Sequence, residues 1–108
     1  MKTIFIKHEA LNDIMVSKKI FEARLNKPFF KDIKIGDCCV FKDSKRFVIC
    51  YIEDILSFNS FEHALSKLDF RKFNSRTEKK EDTISIYNNL YANKYSNLVL
   101  VFKIKKIS

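Results

Sequence analysis

The sequence predicts an α+β fold, a small β-barrel of about five to six strands with about three peripheral helices. One observation is that apolar segments of strand length recur along the chain, several of them alternating with polar residues. Another is that the segments between them carry apolar residues at helical spacing. With 108 residues and 46% hydrophobic content, the chain has the size and composition of one globular domain, residues 1–108.

The first half of the chain predicts three strands and one helix. The strands are apolar runs bounded by charged or turn residues, over residues 3–7, 20–25 and 38–42. The helix, over residues 8–17, has apolar residues three and four positions apart: Ala10, Leu11, Ile14 and Met15. Pro28 restricts the backbone before it, so residues 26–34 are predicted to be irregular. Gly36 and Asp37 then predict a turn.

The second half predicts a long strand, two helices and a closing strand. Residues 46–56 are apolar on both strand faces, which is typical of a strand covered on two sides. Ser60 can cap a helix over residues 61–68, and Asp82 can cap a helix that continues to Tyr91. Residues 69–81 are polar and basic and predict a surface loop. Residues 98–107 predict the strand that completes the sheet.

The charge balance favours a polyanionic partner. Lys and Arg number 21 against 13 Asp and Glu, a net charge of +8. The basic residues cluster in residues 42–46, 67–72, 76–80 and 103–106. Aromatic residues stand beside such patches, at 70–73 and 91–95, which is compatible with single-stranded RNA. The alternative is that these patches are simply solvated faces that keep the protein soluble.

Composition also argues against several classes of protein. No apolar run approaches the ~20 residues of a membrane span, and residues 1–6 are too short for a signal peptide, so we expect no membrane partner. Three cysteines, an odd number, predict free thiols in a reducing cytoplasm. The isolated His8 and His63 lack metal-ligand spacing, so we expect no metal and no cofactor. A single glycine excludes a glycine-rich phosphate loop.

Three charged residues, Lys19, Glu22 and Arg24, accompany a segment that otherwise has the composition of a buried strand. Along a strand, Glu22 and Arg24 fall on one face, about 7 Å apart at their Cα atoms. Buried charges of this kind are costly unless they pair with each other or serve a ligand. This segment is therefore the first candidate for a functional site, with a purely structural ion pair as the alternative.

The order of these motifs resembles the ASCH domain, a relative of the PUA-like RNA-binding modules. Ser17-x-Lys19-x-x-Glu22-x-Arg24 is followed by Gly36-Asp37, then by a long strand that ends in Ser-Phe-Asn-Ser-Phe-Glu over 57–62. A helix with Tyr87 and Tyr91 and a hydrophobic final strand complete the order. The resemblance implies a PUA-like β-barrel that binds RNA or a modified nucleobase in a central pocket.

The resemblance also implies an alternative function, a small hydrolase of the N4-acetylcytidine amidohydrolase type or a ribonuclease. In the relatives that hydrolyse N4-acetylcytidine, a Lys at the position of Lys19 is thought to act with a Thr three residues later and a Glu in a distal loop. Here Glu22 occupies the position of that Thr, and Glu78 is the nearest match to the loop carboxylate. The catalytic candidates implied are Lys19, Glu22 and Glu78, so whether the chain is an enzyme stays open.

Each ligand-binding candidate also has a structural alternative. The candidates are Lys19, Glu22, Arg24, Asp37, Ser57 and Tyr87. An arginine can grip a phosphate with two hydrogen bonds, or it can satisfy Glu22 or Asp37. Asp37 can close a turn, Ser57 can serve a turn at the end of the long strand, and Tyr87 can pack in the core with Tyr91, one helical turn away. If the face of Tyr87 overlooks the pocket, its ring can stack on a base.

Overall fold

The computed structural model describes residues 1–90 and 98–107. Five strands and four helices are present in these residues, together with a short 3-10 turn at Phe70–Lys72. The strands are β1 (Lys2–Phe5), β2 (Phe21–Leu25), β3 (Cys38–Lys42), β4 (Phe47–Phe58) and β5 (Val99–Lys106). The helices are α1 (His8–Met15), α2 (Pro28–Lys31), α3 (Phe61–Lys67) and α4 (Lys80–Leu90).

The five strands form one mixed sheet in the order β1-β3-β4-β5-β2. β1 runs parallel to β3, and the other neighbours are antiparallel. The sheet curls into a half-barrel with three main helices, α1, α3 and α4, which confirms the predicted α+β class. The long strand β4 pairs with β3 through its first half and with β5 along most of its length, and a register shift between Ile52 and Asp54 lets it bend.

Two groups of buried apolar side chains make up the core. One lies beneath α1 and includes Leu11, Ile14, Phe41, Ile52 and Phe102. The other lies beneath α3 and includes Phe21, Ala23, Leu25, Phe61 and Val101. Successive strand residues point to opposite faces of a sheet. The odd-numbered residues of β2 pack in the second group, so Glu22 and Arg24 lie on the opposite face of the strand.

Most predicted elements are present, with small differences at their ends. The irregular stretch 26–34 contains the one-turn helix α2, with Pro28 at its first position, where a missing N–H costs nothing. α4 begins at Lys80 rather than after Asp82, so Asp82 is not its cap. The turn at Gly36 is confirmed, with a φ of 96° that glycine adopts without strain. Tyr91 and the aromatic patch at 91–95 lie outside the described residues.

We expect Ser60→Ala to lower the free energy of unfolding by about 1 kcal/mol, because the Ser60 hydroxyl caps α3 by accepting the N–H of His63. The control is Ser66→Ala in the same helix, where the hydroxyl donates to the carbonyl of Glu62 and caps nothing. This control is expected to stay within about 0.5 kcal/mol of the wild type. Urea denaturation measures both, and equal losses would contradict the capping role.

Candidate functional site

An open cleft of about 800 Å³ lies between the end of β1, the start of α1, β2, the segment 73–77 and α4. Its floor contains three charged side chains from the sequence motif: Lys19, Glu22 and Arg24. Its walls include Phe73 and, from α4, Ile86, Tyr87 and Leu90. The volume is within the range of about 300–1,000 Å³ that small-molecule sites occupy.

Glu22 is the centre of the floor, because its carboxylate holds a cation on each oxygen. Lys19 Nζ lies 3.0 Å from Oε1, and Arg24 Nε donates to Oε2 at 2.6 Å. The side chain of Glu22 is only 7% exposed, and those of Lys19 and Arg24 are 3% and 20% exposed. Three charges therefore share a nearly dry environment, where pairing is required to offset their desolvation.

The ammonium of Lys19 is fully engaged. Besides Glu22, it donates to the carbonyl of Phe21 at 2.5 Å and to the carbonyl of Phe73 at 3.0 Å. A protonated lysine has three N–H donors, and these three acceptors match them. The bond to Phe73 joins residues 54 positions apart and ties the segment after the 3-10 turn to β2.

The ion pair keeps both partners charged. Burial by itself lowers the pKa of Lys19, but the Glu22 carboxylate and Tyr87 together outweigh this effect, and the pKa of Lys19 is raised above its ordinary value. Burial by itself raises the pKa of Glu22, but Lys19 and Arg24 outweigh it and lower that pKa. The floor therefore presents an ammonium, a carboxylate and a guanidinium at neutral pH, with no unprotonated amine.

Arg24 connects the floor to the sheet edge. Its Nη2 donates to the carbonyl of Phe5 at 3.0 Å, and its guanidinium lies 5.3 Å from the centre of the Phe30 ring. The planar guanidinium is thus held by a carboxylate, a carbonyl and an aromatic face, so its orientation in the cleft is fixed before any ligand arrives.

The end of α1 aims Lys19 at the floor. Ser17 takes a left-handed conformation, with φ of 62°, just past the helix. The N–H groups of Lys18 and Lys19 then turn back onto the carbonyl of Asp13, at 2.8 and 3.0 Å. This arrangement satisfies a helix-terminal carbonyl and reverses the chain, so that the next residues enter β2.

A second buried carboxylate fixes the rim. The side chain of Asp13 accepts a hydrogen bond from Arg76 Nη1 at 2.7 Å and another from the Ser75 hydroxyl at 2.9 Å. These bonds join α1 to the segment 73–77 across more than 60 residues. The Thr77 hydroxyl is in turn hydrogen-bonded to that of the fully buried Thr83 in α4. The rim is therefore a bonded structure and not a loose loop.

The aromatic wall is supported by α3. Tyr87 stacks on Phe61, with ring centres 4.9 Å apart and planes 12° apart. Its ring is also nearly perpendicular to that of Phe73, with ring centres 6.4 Å apart. Because Phe61 is buried in the core, Tyr87 is held at a fixed angle while it still lines the cleft.

Four of the residues predicted from the sequence meet in this cleft: Lys19, Glu22, Arg24 and Tyr87. Three others do not line it. Asp37 is exposed, and its carboxylate accepts the N–H of Lys34 at 2.9 Å, as in an aspartate-stabilised turn. Ser57 is an exposed residue of β4, and Glu78 is an exposed residue just before α4.

Sequence reasoning missed Asp13, Arg76, Asn74 and Thr77. Asp13 and Asn74 are each 8% exposed, yet each is an ordinary polar residue in its own segment. Neither the burial of Asp13 nor its pairing with Arg76 is visible in the local sequence. The carboxylate that does line the cleft besides Glu22 is Glu9 of α1.

Within residues 1–90 and 98–107, no cluster of His, Cys, Asp and Glu side chains is arranged to hold a metal ion. The described helices are also too short and polar for any of them to cross a membrane.

Comparison of the sequence with known protein families finds a match. The family model of the ASCH domain matches residues 4–108 of this chain. None of the curated proteins compared with the chain matches it.

Three solved structures illustrate the likeness of fold. Hypothetical protein PH0355 is 24% identical with a TM-score of 0.89, and the match covers 99% of this chain and 100% of that one. Protein PF0455 from Pyrococcus furiosus is 25% identical with a TM-score of 0.78, over 99% and 97% of the two chains. ASCH from Zymomonas mobilis is 15% identical with a TM-score of 0.68, over 97% of this chain and 68% of that one.

We expect Glu22→Gln to destabilise the protein by about 3–5 kcal/mol, because the buried Lys19 and the partly buried Arg24 lose their shared carboxylate. Glu53→Gln, at an exposed carboxylate of β4, is the control and should change the free energy of unfolding by less than about 0.5 kcal/mol. Removing the uncompensated ammonium as well, in Lys19→Met/Glu22→Gln, should restore part of the loss. Urea denaturation at pH 7 measures all three, and a double variant less stable than Glu22→Gln would contradict this account.

The lowered pKa of Glu22 predicts a stability loss on the acid side. Its contribution is fully present above its ordinary pKa of 4.5 and disappears as the pH falls through the lower pKa of the folded state. The free energy of unfolding should therefore fall more steeply below pH 4.5 in the wild type than in Glu22→Gln. Urea denaturation across this range tests it, and parallel curves for the two proteins would show that Glu22 titrates normally.

Proposed function

This chain belongs to the ASCH domain family, and on that premise we propose that it binds RNA through a nucleobase, ordinary or modified, that occupies the cleft. The observation that carries the proposal is the guanidinium of Arg24, held by the Lys19-paired carboxylate of Glu22 in a cleft that the ring of Tyr87 also lines. A planar base offers a polar edge and an apolar face, and this cleft offers a complement to each.

The charge of the cleft supports an electron-rich or anionic ligand. Among the described residues, its lining holds four cationic side chains against two carboxylates: Lys7, Lys19, Arg24 and Arg76 against Glu9 and Glu22. The exposed Lys7 lies on the side toward solvent, where a ribose phosphate would project. A cleft with one predominant sign of charge focuses its field on a ligand of opposite sign.

The aromatic wall supports recognition of a base. Single-stranded RNA is commonly recognised by stacking unpaired bases on aromatic rings while their edges form hydrogen bonds. Tyr87 is already oriented by Phe61, and its neighbours on α4, Ile86 and Leu90, extend the apolar surface. Little conformational entropy would be lost on binding, because the floor and the wall are held by the protein itself.

The alternative, a small hydrolase, receives less support from the geometry. An amidohydrolase needs a group that can take a proton from water. Lys19 is held as an ammonium by three acceptors, and both oxygens of Glu22 are engaged with cations. Glu78 is exposed and does not line the cleft. The predicted catalytic residues Lys19, Glu22 and Glu78 therefore do not supply such a group, and we put forward binding rather than hydrolysis.

We expect Arg24→Met to weaken binding of ribonucleoside 5′-monophosphates and of a mixed-sequence RNA by about ten-fold or more, because a charge-assisted hydrogen bond is lost. The matched control is Arg71→Met, which removes the same charge from an exposed arginine outside the cleft. It should stay within about two-fold of the wild type for the mononucleotides. Calorimetry measures the mononucleotides, and fluorescence anisotropy at low and high salt measures the RNA.

Two results would overturn the proposal. The first is equal weakening by both variants, which would indicate only a diffuse attraction to the basic surface. The second would come from incubating the protein with N4-acetylcytidine and measuring the products by mass spectrometry. Loss of the acetyl group in the wild type but not in Lys19→Ala would make the cleft a hydrolase site.

A further inference from the structure

Two exposed phenylalanines and a lysine form a row across three strands on the outer face of the sheet. Phe5 of β1 lies opposite Lys42 of β3, and Lys42 lies opposite Phe47 of β4. Residues directly opposite each other on neighbouring strands share a face of the sheet. Phe5 is 70% exposed and Phe47 is 62% exposed. We call these three residues the aromatic row.

The charge around the aromatic row is positive. The ammonium of Lys42 lies 5.9 Å from the centre of the Phe5 ring. The nearby carboxylate of Asp43 is engaged within its own hairpin, where it accepts the N–H groups of Lys45 and Arg46 at 2.8 and 2.7 Å. It also contacts the ring of His8 at 3.1 Å. Asp43 is thus turned toward donors of its own, and Arg46, whose Nη2 lies 3.6 Å from the carboxylate, partly offsets its charge.

The aromatic row is continuous with the cleft. Phe5 lines the cleft, and its carbonyl accepts the hydrogen bond from Arg24 on the floor. On the other side, Phe5 and Ile6 line a second hollow of about 410 Å³ together with Lys42, Asp43 and Ser44. A chain that leaves the cleft on this side therefore passes over Phe5 and reaches Lys42 next.

We propose that the aromatic row is a second subsite, which binds the nucleotides that flank the base held in the cleft. Flanking bases stack on Phe5 and Phe47, and the phosphate between them contacts Lys42. The ligand class is then a single-stranded nucleic acid, not a free nucleoside. This inference rests on the proposed function of the cleft.

The spacing of the strands suits this arrangement. Neighbouring strands lie about 4.7–4.9 Å apart, so the backbones at Phe5 and Phe47 are about 10 Å apart with Lys42 midway. Two rings flanking a cation match the alternation of base and phosphate along a strand. Aromatic side chains on an open sheet are a general platform for unpaired bases, and their stacking tolerates any sequence.

The test is binding of mixed-sequence RNA and single-stranded DNA of about ten nucleotides, measured by fluorescence anisotropy. Phe47→Ala should weaken binding of both by about five-fold or more, because a stacked base is lost. It should leave binding of mononucleotides in the cleft unchanged. Lys42→Gln should also weaken binding of both oligonucleotides. Because about one phosphate contact is lost, the slope of log affinity against log salt concentration should become shallower by about one.

The control is Tyr51→Ala, four residues along β4 on the same face and 38% exposed, but outside the row. It should bind both oligonucleotides as the wild type does. If Phe47→Ala also binds them as the wild type does while Arg24→Met does not, the row is not a subsite and the cleft proposal stands. If Phe47→Ala weakens binding while Arg24→Met does not, the cleft proposal fails and the row binds the strand alone. If neither nucleotide nor oligonucleotide binds, both proposals fail.

Discussion

The buried carboxylate of Glu22 is the constraint on which the cleft depends. A charge that is nearly out of contact with water must be matched by charges and donors of fixed geometry. Lys19 and Arg24 supply the charges, and each is then anchored to backbone carbonyls, of Phe73 and Phe5 respectively. Three segments far apart in sequence are thereby drawn to one point. The cleft exists where they meet, because side chains so engaged cannot collapse into the space beside them.

The pairing of these charges also limits the chemistry that the cleft can carry out. The Lys19 ammonium and the Glu22 carboxylate each raise the free energy of changing the other's protonation state, as the opposite shifts of their pKa values indicate. A site built this way is well suited to hold a ligand and poorly suited to exchange protons with one. Arg24 is similarly held in advance, so under the proposed function a ligand would meet a guanidinium of fixed orientation with little adjustment of the protein.

The sequence predicted the charged strand but not most of what surrounds it. Glu22 and Arg24 could be placed on one face because strand alternation is a local rule, and their pairing was an alternative from the start. The ion pair between Asp13 and Arg76 could not be predicted. It joins residues 63 positions apart, and neither residue lies in a local sequence pattern that indicates a partner. Asp37, Ser57 and Glu78 were candidates by residue type and order, and their positions outside the cleft follow from how turns and strand ends close in space.

The aromatic row shows why register matters more than composition on this surface. Phe5 and Phe47 are 42 positions apart in the chain, and they become neighbours of Lys42 only because β1 runs parallel to β3 while β4 runs antiparallel to it. Phe5 also joins two environments: its carbonyl meets Arg24, while its ring points to solvent. Phosphate contacts position a strand, and contacts to bases select it. Under the proposed binding mode, the aromatic row on the outer face of the sheet positions the strand, and the cleft selects the base.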